Sequence, residues 1–71
     1  MSRPVVIRKG PREQIRVEEI VSNGRQLVCV RTWFRPHEGE WQPTAKGITF
    51  RRRYLSRILA ALIEIETGAG R

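Results

Sequence analysis

Residues 14–34 read QIRVEEIVSNGRQLVCVRTWF, and the fold turns on how this stretch is read. Ile15, Val17 and Val21 fall at even spacing ahead of Ser22-Asn23-Gly24-Arg25. Even spacing puts apolar side chains on one face of an extended chain. Asn-Gly tolerates the positive φ angles of a tight two-residue turn, so the chain should reverse there. Gln26 to Phe34, rich in β-branched and aromatic residues, then reads as the strand that pairs back.

Toward the C-terminus, Arg35-Pro36-His37-Glu38-Gly39 breaks the strand. A short third strand is expected over Glu40 to Gln42, a loop over Pro43 to Gly47, and a fourth strand over Ile48 to Phe50. After Arg51 the apolar period changes from two to about 3.6. Leu55, Ile58, Leu59, Leu62 and Ile63 then share one side of a helix that ends before Gly68, and Tyr54 and Ile65 broaden the stripe. Toward the N-terminus, Met1 to Arg12 carries Arg3, Arg8, Lys9 and Arg12 among Pro4, Gly10 and Pro11. It reads as a flexible basic arm, within which Val5, Val6 and Ile7 have the composition of a short strand on a partner. The expected fold class is α+β: a four-stranded antiparallel meander followed by a C-terminal helix. Residues 1–12 are the arm, 13–67 the domain and 68–71 a short tail.

A domain of 71 residues buries only about 60% of the surface its unfolded chain exposes, so extra stabilisation is expected. The one cysteine, Cys29, excludes an internal disulfide and a cysteine-rich zinc site. That leaves self-association, and the expectation is a homodimer held by Leu55, Ile58, Leu59, Leu62 and Ile63.

Twelve arginines and two lysines stand against seven glutamates and no aspartate, for a net charge of +7. Such a balance calls for a polyanionic partner. Ile58 to Ile65 is too short to span a bilayer, and Met1 to Arg12 has no apolar centre of a signal peptide. No membrane partner is expected, and a lone thiol suits a reducing compartment.

An enzyme is hard to assemble from these residues. The single histidine, His37, and the carboxylates Glu38 and Glu40 sit in a turn-rich segment and read as solvated loop residues. No phosphate-binding glycine loop and no metal-ligand spacing is present, so no catalytic residue, metal, cofactor or small-molecule substrate is expected. Nucleic-acid binding fares better. Single strands need cations for phosphates and flat side chains on which bases stack. Arg25, Arg31, Trp33, Phe34, Arg35, Trp41 and Lys46 supply both. Alternation puts Trp33 and Phe34 on opposite faces, one core and one exposed, without saying which. Arg51, Arg52 and Arg53 oppose the helix dipole where they stand, which suggests a phosphate clamp.

Val30-Arg31-Thr32-Trp33-Phe34, followed by Glu38-Gly39-Glu40-Trp41-Gln42-Pro43-Thr44-Ala45-Lys46-Gly47-Ile48-Thr49-Phe50, resembles the signature of the positive-cofactor-four family of transcriptional coactivators. The shared pattern is an apolar residue, Arg, a variable residue and two aromatics, then a Gly-Glu turn, a Pro, and Lys-Gly-Ile. The resemblance covers about Gln14 to Ile65 and is sharpest from Arg31 to Phe50. It implies a curved antiparallel sheet, dimerisation partly through the helices, and sequence-nonspecific binding of single-stranded DNA or melted duplex. Carried over by position, Arg31 and Lys46 match residues that contact the DNA backbone, Phe34 matches a stacking aromatic, and Arg25 a basic residue after the hairpin turn. Gln42 and Ala45 stand where the family often has basic residues, and Trp41 where it usually has an aliphatic one. A serine-rich acidic segment is lacking, which favours a bacterial or phage form.

The expected role is in transcription regulation, or in DNA replication, recombination or repair, with transcription or replication proteins as further partners. The expected location is the cytoplasm, nucleoid-associated, for a bacterial protein and the nucleus for a eukaryotic one. An RNA-binding protein and a basic module docking an acidic protein are the alternatives.

Overall fold

The computed structural model describes residues 3–68. Four strands, β1 (Val5–Gly10), β2 (Glu13–Ser22), β3 (Arg25–Phe34) and β4 (Gln42–Arg51), are followed by one 3₁₀ turn (Arg52–Tyr54) and the helix α1 (Leu55–Thr67). The strands form one antiparallel sheet in the order β1-β2-β3-β4.

The central hairpin forms where the sequence places it. Asn23 and Gly24 adopt φ of 53° and 75°, and Ser22 pairs with Arg25 across the turn. From there the ladder runs without a shift to Glu13 opposite Phe34. α1 ends at Gly68, whose φ of 75° lets its N–H reach the carbonyls of Glu64 and Ile65.

Two expectations are corrected. The segment read as a flexible arm contains β1, with Val5, Val6 and Ile7 opposite Val17, Arg16 and Ile15. An edge strand pairs on one side only and its three aliphatic residues are all exposed, so it carries no apolar–polar alternation to announce it. Residues 1–2, and the tail beyond Gly68, lie outside the described residues.

The short third strand and the fourth are one continuous strand, β4, and Pro43 to Gly47 belongs to it rather than to a loop. Pro43 lacks an N–H but lies next to the start of an edge strand, where none is needed. A register shift between Arg31 and Trp33 absorbs the irregularity. Here the Thr44 hydroxyl donates to the Thr32 carbonyl at 2.8 Å and accepts the Lys46 N–H at 3.2 Å, replacing ladder bonds. Gly47 is forced by packing, since a Cβ there would lie 2.5 Å from the Val30 carbonyl oxygen and 2.7 Å from the Arg31 Cα.

Alternation and register divide the sheet. Val17, Val28, Val30, Ile48 and Phe50 point toward Leu55, Ile58, Leu59 and Leu62 of α1, with an apolar cleft of about 350 Å³ between them. Only Val28, Cys29 and Gln14 are buried among the described residues, and no helix residue is. An ion pair between Arg52 Nε and Glu19 Oε2, 2.9 Å long, ties the start of the helical segment to β2.

Candidate nucleic-acid interface

The face of the sheet away from α1 carries a row of cations. Register places Arg25, Leu27, Cys29, Arg31 and Trp33 of β3 there. Arg16 and Gln14 of β2 lie across from Arg31 and Trp33, Val6 and Arg8 of β1 follow outward, and Arg51 of β4 stands beside Leu27. The Arg16 guanidinium lies 3.9 Å above the Trp33 ring, and the Arg31 Nη1 donates to the Thr44 carbonyl at 2.8 Å. One end of this face is closed by the β3–β4 loop, whose Arg35 N–H bonds the Arg12 carbonyl at 2.9 Å. The loop thereby brings Arg35 and Trp41 to a cleft of about 320 Å³ shared with Val6, Arg8 and Gln14. The Arg35 guanidinium sits 5.4 Å from the Trp41 ring centroid.

The opposite face holds a second cationic element beside the helix. Lys9 and Lys46, the two lysines of the chain, line a groove of about 310 Å³ with Ile15, Val30 and Thr32. Phe34 belongs to this face by register and is 41% exposed. Of the aromatic pair, Phe34 is therefore the open one, while Trp33 is half-buried beneath Arg16.

The anticipated binding residues thus fall into two groups. Arg25, Arg31, Trp33 and Arg51, with Arg35 and Trp41 at the end, share the helix-free side; Phe34 and Lys46 share the other. The arginine triplet is not gathered into a cluster. Arg51 points to the helix-free face, Arg52 is paired with Glu19, and Arg53 Nη2 donates to the Tyr54 hydroxyl at 3.1 Å. Arg8 and Arg16, with the buried Gln14 beneath them, belong to the helix-free face without having been singled out. Arg16 was within reach of the sequence, since it lies as far before the Asn23-Gly24 turn as Arg31 lies after it. His37, Glu38 and Glu40 are exposed loop residues. Among the described residues no group of His, Cys, Asp or Glu is arranged to hold a metal ion, and no helix is long and apolar enough to cross a membrane.

Residues 10–61 match the family model described as Transcriptional Coactivator p15 (PC4). No curated protein matches the chain. Among solved structures, the fold is similar to a PC4 homolog from Burkholderia pseudomallei. In one crystal form the TM-score is 0.79 at 26% identity, covering 87% of this chain and 84% of that one. In another it is 0.81 at 25% identity, covering 90% and 96%. It is also similar to the bacteriophage T5 homolog of the eukaryotic coactivator PC4, implicated in recombination-dependent DNA replication. There the TM-score is 0.82 at 21% identity, covering 96% and 80%. With the matched segment spanning most of the chain and carrying the hairpin, β4 and the helix start, the chain belongs to the PC4 family of transcriptional coactivators.

Proposed function

We propose that this protein binds single-stranded DNA without sequence preference, as a homodimer and without catalysis, at sites where duplexes are opened for transcription, replication or recombination. The observation that carries this reading is the helix-free face, where Arg25, Arg51, Arg31, Arg16 and Arg8 follow one another along the sheet toward Trp33 and a loop presents Arg35 and Trp41. β3 alone is ten residues long, about 33 Å, enough to follow several nucleotides of an extended strand. Cations along that path take phosphates, and exposed aromatic rings take bases: Trp41 at the end of this face, and Phe34 beside Lys46 where a strand passes round the end of β3 to the other. The phage relative's link to recombination-dependent DNA replication supports the same reading.

Dimerisation is supported by what the single chain leaves open. Its accessible surface is 6060 Å², against about 4,600 Å² for a compact monomer of this length. The Cα radius of gyration is 14.1 Å, against about 11 Å. The excess surface exceeds the roughly 800 Å² that each partner buries in a standard interface. An apolar cleft left gaping between sheet and helix is what a second copy would fill, since protein interiors tolerate few such voids.

Titration of labelled oligo-dT, oligo-U and duplex DNA across a salt series tests the proposal. Tight oligo-dT binding that weakens as salt rises, with duplex bound more weakly, is the expected result. Preference for oligo-U would instead make it an RNA-binding protein, and indifference to all three would make the basic surface a protein-docking one.

A further inference from the structure

We propose that Arg16 is a second phosphate-binding residue beside Arg31, held ready for that task by Gln14 and Trp33; the inference rests on the single-stranded-DNA reading of the helix-free face. Arg16 and Arg31 are direct partners in the β2–β3 ladder, so their side chains leave the same face. Like charges placed opposite each other in a sheet are destabilising unless something offsets them. No carboxylate among the described residues does so here. Among the described residues neither guanidinium forms an ion pair with a carboxylate. Glu18, the acidic residue that alternation puts on this face of β2, pairs with Cys29 in the ladder and with neither arginine.

Both arginines are held by neutral oxygens instead. Arg31 donates to the Thr44 carbonyl. Arg16 donates to the side chain of Gln14, whose amide is oriented by its hydrogen-bond network with the oxygen toward the guanidinium. That oxygen accepts from Nε at 2.7 Å and from Nη2 at 2.8 Å. Gln14 is itself 8% exposed and sits across the ladder from Trp33, so the acceptor cannot swing away. The indole beneath Arg16, 3.9 Å from it, fixes the plane of the guanidinium.

This arrangement keeps the full positive charge and leaves donors unused. A guanidinium has five N–H groups, and Gln14 engages one on Nε and one on Nη2. The two on Nη1 and one on Nη2 remain for an incoming oxygen. An arginine usually loses considerable rotamer freedom when it is ordered by a ligand, and here the folded chain has already ordered it. Two cations with no carboxylate partner among the described residues, each preset by neutral acceptors, form an anion site that a polyanionic backbone completes. Trp33 and Gln14 act as positioning residues.

The test measures oligo-dT affinity and its salt dependence for the full chain and for Arg16→Gln and Arg16→Lys, with circular dichroism and thermal melts alongside. Arg16→Gln should bind about tenfold more weakly at moderate salt, the low end for a charge-assisted hydrogen bond. Its log-log salt slope should shrink by about 0.7, one phosphate on a single strand. Arg16→Lys keeps the charge without the flat seat, so its slope should stay near wild type while affinity falls several-fold. If both variants melt earlier but keep the wild-type slope and affinity when folded, Arg16 only packs on Trp33 and the inference is overturned. A wild-type chain that binds no single strand would overturn the functional reading itself.

Discussion

Trp33 and Phe34 are neighbours with different work, because a strand sends successive side chains to opposite faces. Trp33 is half-buried under Arg16, whereas Phe34, at the end of β3, is open on the opposite face. Replacing Phe34 with alanine should therefore cost about 1–3 kcal/mol of single-strand binding for the base it stacks, with little change in melting temperature. Trp33→Ala should chiefly lower the melting temperature by removing the seat of Arg16. A melting curve and an oligo-dT titration on each variant check this; equal loss of stability in both would make Phe34 a core residue. Lys46→Ala, on the same face as Phe34, should reduce the salt slope by about 0.7 without unfolding the chain. Arg52 differs from Lys46 because the Glu19 carboxylate already engages it, in an exposed pair of the kind worth only about 0.2–1 kcal/mol.

At the level of the element, β4 stays in the sheet because two residue choices resolve a local conflict. Thr44 supplies hydrogen bonds at the register shift, and Gly47 lets the backbone of β4 pass close to Val30 and Arg31. Gly47→Ala would force that approach apart. It should destabilise the fold by about 1–3 kcal/mol, the usual cost of overpacking, and should weaken DNA binding in proportion because Arg31 and Lys46 lie on either side. Urea unfolding followed by circular dichroism measures the first effect. A variant as stable as wild type would show that the strands can separate there at no cost. The helix depends on different physics. Gly68 caps it well, but its first turn has no acidic residue and nothing in it is buried in the single chain, so on the proposed dimer its packing comes from the second copy.

At the level of the whole molecule, the proposed dimer fills the apolar cleft between the sheet and α1, and stability is then tied to association. Its melting temperature should rise with protein concentration, as it does when folding and assembly are linked. Light scattering should give twice the chain mass at micromolar concentration. Leu62 is 55% exposed in the single chain, so Leu62→Glu should leave the isolated fold little affected while preventing the second copy from docking. The expected product is a monomer that binds oligo-dT poorly. A wild-type monomer binding at full strength would remove the dimer from the account.

The sequence by itself determined the central hairpin, the helix with its glycine stop, the basic character of the surface and the family. Each of these is local or compositional: a turn that demands Asn-Gly, a period of 3.6, an excess of arginine, a run from Arg31 to Phe50. Only the tertiary structure decided that Val5–Gly10 is an edge strand and that Gln42–Arg51 is one strand, because edge pairing and a register shift leave no periodic trace. It also decided which aromatic is open and which is covered, since parity separates two faces but does not say which one the helix takes. The seating of Arg16 on Trp33 by Gln14 lay in the same category. Counting from the turn brings Arg16 opposite Arg31, but only packing in three dimensions turns that proximity into a preset charge.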